Sequence, residues 1–174
     1  MTEDLSGFRP SRIWKRMSAE RRLEAAELFW ADDDSAEQQV EAIAAIANHM
    51  KFRAKSVIGL PTSKKVQYLS RLPAISDSVA SRALIQFHLQ LQRPMMGAFL
   101  DALGIAHEDG LITEEKIEPP APDRLKDAVA QLSASYPAED VSLYFSTLVS
   151  QDPDTWKPLA VAAEALGQVS STST

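Results

Sequence analysis

The sequence predicts an all-α fold, and three observations carry that prediction. Apolar residues recur at helical spacing through most of the 174 residues, proline and glycine punctuate the chain where helices would end, and no run alternates apolar and polar residues for more than a few positions. With 45% hydrophobic and 24% charged residues, the composition is that of an ordinary globular protein. The expected architecture is a single compact irregular bundle of about seven to nine short helices, several broken at proline, over residues 1–169, with a flexible tail at 170–174.

The elements follow in order. A turn around Ile13, Trp14 and Met17 precedes a helix capped by Ser18 and reaching Trp30, with Leu23, Ala26, Leu28 and Phe29 on its apolar side. Asp32, Asp33 and Asp34 join it to the next helix, whose unpaired N-terminal amides favour anions. That helix, Ser35 to Met50, is expected to bury Val40, Ile43, Ala44, Ala47 and Met50, and Ser35 with Gln38 reads as a capping box. The period blurs through residues 51–61, where Gly59 and Pro61 mark a turn. Thr62 or Ser63 then caps a helix to Leu72, which Pro73 stops.

Ser76 opens a longer helix with Ala80, Ala83, Leu84, Phe87, His88 and Leu91 on one face, ended near Gln92 because a residue before proline disfavours helical geometry. Pro94 suits the first turn of its successor, Met96, Phe99, Leu100 and Leu103 form a stripe, and Gly104 supplies a left-handed cap that folds Ile105 back on Leu100. Residues 107–122 are acidic and proline-rich and read as a connector with at most one helical turn, near residues 113–116. Helices then run from Asp123 to Tyr136 and from Pro137 past Leu148. A short piece from Asp152 holds Trp156, and a last helix from Pro158 is expected to stop at Gly167.

Charge is unevenly distributed. Residues 1–93 hold 14 Lys and Arg against 11 Asp and Glu, and residues 94–174 hold 4 against 13. Residues 48–93 carry eight bases (Lys51, Arg53, Lys55, Lys64, Lys65, Arg71, Arg82 and Arg93) and Asp77 as their one acid. Such a row is either a binding face for anions or a solvated surface, and the sequence leaves that choice open. The overall charge of −6 and the lack of a binding motif argue against nucleic acid as the partner.

No apolar run approaches the roughly 20 residues of a membrane-spanning helix. The N-terminus lacks the pattern of a secretory signal, so a cytoplasmic location is expected. The absence of cysteine removes disulfides, thiol catalysis and thiolate metal sites. No phosphate-binding glycine loop, nucleophile elbow or paired metal-ligand spacing occurs, so neither cofactor nor metal is expected and no catalytic residue is assigned.

Chemistry-bearing residues crowd between His88 and Gly110, which hold two of the three histidines and half the glycines. Helix grammar accounts for much of this stretch. What it leaves are His88, Gln92 and Arg93 at one helix break and His107, Glu108 and Asp109 at the next, and these six are the candidate ligand-binding residues. An imidazole beside a guanidinium can orient an anion. Two functions are therefore expected of the chain. The first is a protein-interaction or adaptor module that binds a protein partner or a second copy of itself through Arg93–Gly110 and the adjoining basic face. The alternative is a small enzyme or ligand-binding protein with a pocket near His88, Arg93 and His107.

Overall fold

The helical spacing is realised as an all-α fold. The structure, a computed structural model, describes residues 4–171, and among them eleven α-helical segments are joined by short turns and one hairpin. Two of the eleven are brief turns of five and four residues, and without them the number is the one expected. The chain gathers into two compact units, Met1–Gln90 and Leu91–Thr174. No helix among the described residues is long and apolar enough to cross a membrane.

The first unit opens with a 3-10 turn, Ser6–Phe8, and continues through α1 (Pro10–Arg16), α2 (Ala19–Ala31), α3 (Ala36–Met50), α4 (Ala54–Ile58), α5 (Thr62–Arg71) and α6 (Asp77–Leu91). Ser18 caps α2 as expected, its hydroxyl accepting from the Arg21 amide at 3.2 Å. Helix α2 packs on α5, and α3 packs on α4 and α5. The core of the unit includes Ala25, Phe29, Ile46, Leu69 and Phe87, each fully buried.

Three local expectations for this unit are corrected. Helix α3 buries Ala42, Ile46 and Ala47 and leaves Val40 68% exposed. Its run AIAAIA is apolar on every side, so the spacing alone did not fix which stripe turns inward. Ser35 makes no side-chain cap to α3. A 3-10 turn, Asp33–Ser35, intervenes, and the fully buried Ser35 hydroxyl donates to Asp32 instead. Arg82 reaches the same pair, bonding Asp32 Oδ2 at 2.8 Å and Ser35 Oγ at 3.2 Å. Gln39 closes the corner by donating to the carbonyls of Phe29 and Asp32. Finally, neither Thr62 nor Ser63 caps α5, because Pro61 occupies the cap position and Thr62 is already helical.

The second unit comprises α7 (Arg93–Leu103), β1 (His107–Glu108), β2 (Leu111–Ile112), α8 (Pro122–Ser135), α9 (Ala138–Gln151), α10 (Pro153–Trp156), a 3-10 turn at Lys157–Leu159, and α11 (Ala160–Ser171). Helix α9 is buried on nearly all sides from Asp140 to Val149 and packs against α8, α10 and α11. Phe99 of α7 centres an aromatic cluster, with ring centroids 5.6 Å from Tyr144, 5.1 Å from Phe145 and 6.0 Å from Trp156. Offset and edge contacts of this kind add to the burial of the rings.

Gly104 ends α7 in the left-handed conformation at φ 70°, and the Ile105 amide bonds back to the Leu100 carbonyl at 3.0 Å. Helix α11 runs through Gly167 to Ser171, past the expected stop. At Gly167 an added Cβ would lie 3.2 Å from Ser142 Oγ, so this glycine serves the close packing of α11 on α9. The tail expected at 170–174 thus begins within α11, and 172–174 lie outside the described residues.

Candidate functional site

The connector read at 107–122 contains an antiparallel hairpin, with His107 opposite Ile112 and Glu108 opposite Leu111. Its two-residue turn is Asp109-Gly110, both at positive φ, 52° and 88°. Asp-Gly is the pair that a tight hairpin turn favours, because both positions need φ above zero. With only two residues per strand, the flanking alternation was too short to read as sheet. No helical turn forms at 113–116.

This hairpin sits on α7, and Gly110 allows the approach. A Cβ on Gly97 would meet His107 Cε1 at 3.4 Å. One on Gly110 would stand 2.9 Å from both the Arg93 carbonyl oxygen and Met96 Cβ. His107 then pins the hairpin from both ring nitrogens. The Gly110 amide donates to Nδ1 at 3.1 Å, which makes Nδ1 the acceptor and places the ring proton on Nε2, which donates to Asp101 Oδ1 at 2.6 Å. An aspartate–histidine pair resembles part of a hydrolytic relay, but a relay needs the second nitrogen open to a substrate proton. Here a backbone amide occupies it.

Arg93 serves the same structure. Its Nη1 donates to the Asp109 carbonyl at 3.2 Å and lies 3.7 Å from the Asp109 carboxylate. Gln92 is the N-cap residue of α7 and makes no side-chain cap. Glu108 is exposed on β1. Arg93, His107 and Asp109 are therefore brought together, with Asp101, as the clasp of a hairpin.

His88 belongs to the first unit and is buried there. Its Nδ1 donates to the Leu84 carbonyl at 2.8 Å, and Phe87 meets its ring edge-on at 5.3 Å. Burial favours the neutral ring and lowers the pKa to about 4, with the Leu84 bond opposing. It is a core histidine carrying no charge at neutral pH. Met95 and Met96 are likewise core, and none of Trp14, Trp30 and Trp156 is exposed. Among the described residues no group of three or more His, Asp or Glu side chains is arranged to hold a metal ion.

The basic stretch of the first unit keeps its chemical potential. Of the eight bases between residues 48 and 93, Arg82 pairs with Asp32 and Arg93 with Asp109. The single acid of the stretch, Asp77, is taken by Arg9 at 2.7 Å and by the Ser11 amide at 3.0 Å. Hydrogen bonds from Ser11, then Arg9, hold its carboxyl down at about 2. The six remaining bases lie between Lys51 and Arg71 and have no carboxylate partner among the described residues. Five are exposed, and the sixth, Lys65, lies over the Trp30 ring at 5.8 Å.

Apolar groups stand among these cations. Phe52 is 43% exposed and meets Tyr68 of α5 edge-on, and Ile58 at the end of α4 is 58% exposed. A groove of about 370 Å³ runs between α2 and α5. Leu23, 38% exposed, and Val66 form its apolar wall, and Arg71, Gln67, Ser63 and Glu27 edge it. Helical spacing puts Leu23 on the apolar side of α2 with Ala26 and Phe29. Here it lines a groove, a distinction that helical spacing cannot make. Comparison with protein-family models, with curated proteins and with solved structures finds no match, so residues and geometry alone carry the functional reading.

Proposed function

We propose that the chain is a protein-interaction module whose first unit binds an acidic, amphipathic segment of a partner protein. The observation that carries this reading is the conjunction on α5 of uncompensated cations, Lys64 and Arg71 among them, with a groove walled by Leu23 and Val66. An apolar side chain of the partner seats in the groove while its carboxylates meet the lysines and arginine, the arrangement by which amphipathic helices dock into helix–helix grooves. A bare phosphate backbone offers nothing to Leu23, Phe52 or Ile58. A flat lipid surface has no use for a groove. The second reading, a pocket built on His88, Arg93 and His107, draws no support from side chains already engaged as core and clasp.

A synthetic helical peptide of alternating Glu and Leu faces tests the proposal, with an oligonucleotide and vesicles containing phosphatidylserine as rivals. The peptide is expected to bind the parent and to lose most of its affinity for Lys64→Glu/Arg71→Glu, with a weaker loss for Leu23→Ser. Tighter binding of vesicles or oligonucleotide than of the peptide, or unchanged peptide binding by the charge-reversed variant, would overturn it.

A further inference from the structure

The second unit contains a cleft of about 470 Å³ between the stretch that follows β2 and the α9–α10 junction. Its apolar surface includes Ile117 from one wall and Leu148 and Trp156 from the other, the last two buried. Carboxylates edge both walls: Glu114 and Glu115 on the first, Asp154 on the second, all exposed. None of the three has an ion pair among the described residues, and Lys116 is the only basic residue lining the cleft. Asp152, the remaining acid there, is committed to capping α10, its carboxylate accepting from the Thr155 amide at 3.3 Å. Thr155, only 7% exposed, also lines the cleft, and its hydroxyl has no hydrogen-bond partner among the described residues.

We infer that this cleft binds a small aliphatic polyammonium ion. The volume falls in the range of small-molecule sites, roughly 300–1,000 Å³. Carboxylates on opposite walls suit a ligand charged at both ends, and the hydrocarbon between them suits methylene groups, as when a lysine stem covers apolar surface with its ammonium in water. The Thr155 hydroxyl supplies an acceptor for an ammonium N–H that enters the cleft. An inorganic divalent cation would use the carboxylates but leave Ile117, Leu148 and Trp156 without contact. An anion would meet four carboxylates and one lysine. The site is independent of the basic face of the first unit, and either can fail without the other.

Titration calorimetry with spermidine, repeated with butylamine, Mg²⁺ and a lysine-rich peptide, tests the assignment. Amide and indole NMR shifts locate the binding. Spermidine is expected to bind more tightly than butylamine or Mg²⁺ and to move the signals of Ile117, Leu148 and the Trp156 indole. The triple variant Glu114→Gln/Glu115→Gln/Asp154→Asn changes only exposed side chains, so it is expected to fold. It should weaken spermidine binding by about tenfold, since each exposed ammonium–carboxylate contact is worth a few-fold. Mg²⁺ competing as well as spermidine, shifts confined to other residues, or an unaltered affinity in the triple variant would overturn the inference. So would binding of the lysine-rich peptide in the absence of any spermidine binding, which would make the cleft a protein-docking site.

Discussion

Replacing Gly110 by alanine tests whether the region between His88 and Gly110 is a clasp. The position has φ 88°, and the new Cβ would stand 2.9 Å from a backbone oxygen and 2.9 Å from Met96 Cβ. A left-handed conformation costs an L-residue about 1–2 kcal/mol, and overpacking a closed contact costs about 1–3 kcal/mol. The Arg93 carbonyl belongs to the first turn of α7 and cannot swing aside, so the hairpin itself must lift. The total is about 3 kcal/mol, equivalent to a melting temperature lower by roughly 6–12 °C in a chain of this size. Two other glycines serve as internal standards. Gly104→Ala meets the same conformational strain at φ 70°, but its nearest neighbour is the end of the flexible Arg124 side chain, at 2.7 Å. Its cost should stay near the conformational part, about 1–2 kcal/mol. Gly97→Ala lies within α7 with His107 at 3.4 Å, and the gain of about 1 kcal/mol in helix propensity should make it neutral or stabilising. Urea and thermal unfolding of the three variants give the ranking. Gly110→Ala losing no more stability than Gly104→Ala would refute the close docking of the hairpin on α7.

Two further outcomes follow from the first unit. His88 has a folded-state pKa of about 4 against 6.5 for a free side chain. Between these values the unfolded chain takes up the proton and the folded chain does not. The stability associated with the neutral ring is therefore fully present above pH 6.5 and declines as pH falls to 4, by about 3 kcal/mol. His88→Leu should flatten urea-midpoint profiles in that window and leave the loss below pH 3.8, where Asp77 titrates, in place. Identical slopes between pH 6.5 and 4 in parent and variant would refute the burial argument. Asp32→Ala removes the acceptor shared by Arg82 and Ser35 at a partly buried corner and should cost about 2–3 kcal/mol in chemical denaturation, since partners of a charged acceptor are left unsatisfied. A loss below 0.5 kcal/mol, roughly that of an ordinary surface change, would mean that the corner contributes little.

Helix ends were legible at several single residues, though not at Gly167, which packing keeps inside α11. Ser18 and Asp152 accept a backbone amide three residues on with their own side chains, Pro94 and Gly104 act through their backbone conformation, and each does what its chemistry predicts. Positions with two local solutions were less legible. Ser35 can cap a helix or donate to Asp32, and Arg82, 47 residues further on, selects the second. The inner stripe of α3 could not be phased because alanine and isoleucine surround the helix. The clasp was visible only as crowding. Asp109-Gly110 is a hairpin signal in itself, but its consequence depends on Gly110 lacking a Cβ where strand meets helix. Asp101 was the missing partner. Set against His107, which lies six residues on, it turns an apparent catalytic histidine into a pin.

The same logic governs the charge map. A count along the chain gives the amount of basic charge between residues 48 and 93 but not how much of it is available, because neutralisation is decided by residues far away in sequence. Arg82 is cancelled by an aspartate 50 positions earlier, and Asp77, the one local acid, is drawn away by Arg9, 68 positions earlier. The second of these pairings makes the stretch more basic than its composition. With Asp77 engaged at the start of α6, the stretch from Lys51 to Arg71 has no acid of its own, and Arg71 lines the α2–α5 groove opposite Glu27 of α2. An ordinary solvated face would intersperse both signs, since mixed charge favours solubility. Cations without carboxylate partners, on a unit that also exposes Phe52, Ile58 and Leu23, give up that advantage, and the proposed partner, both acidic and apolar, would restore it.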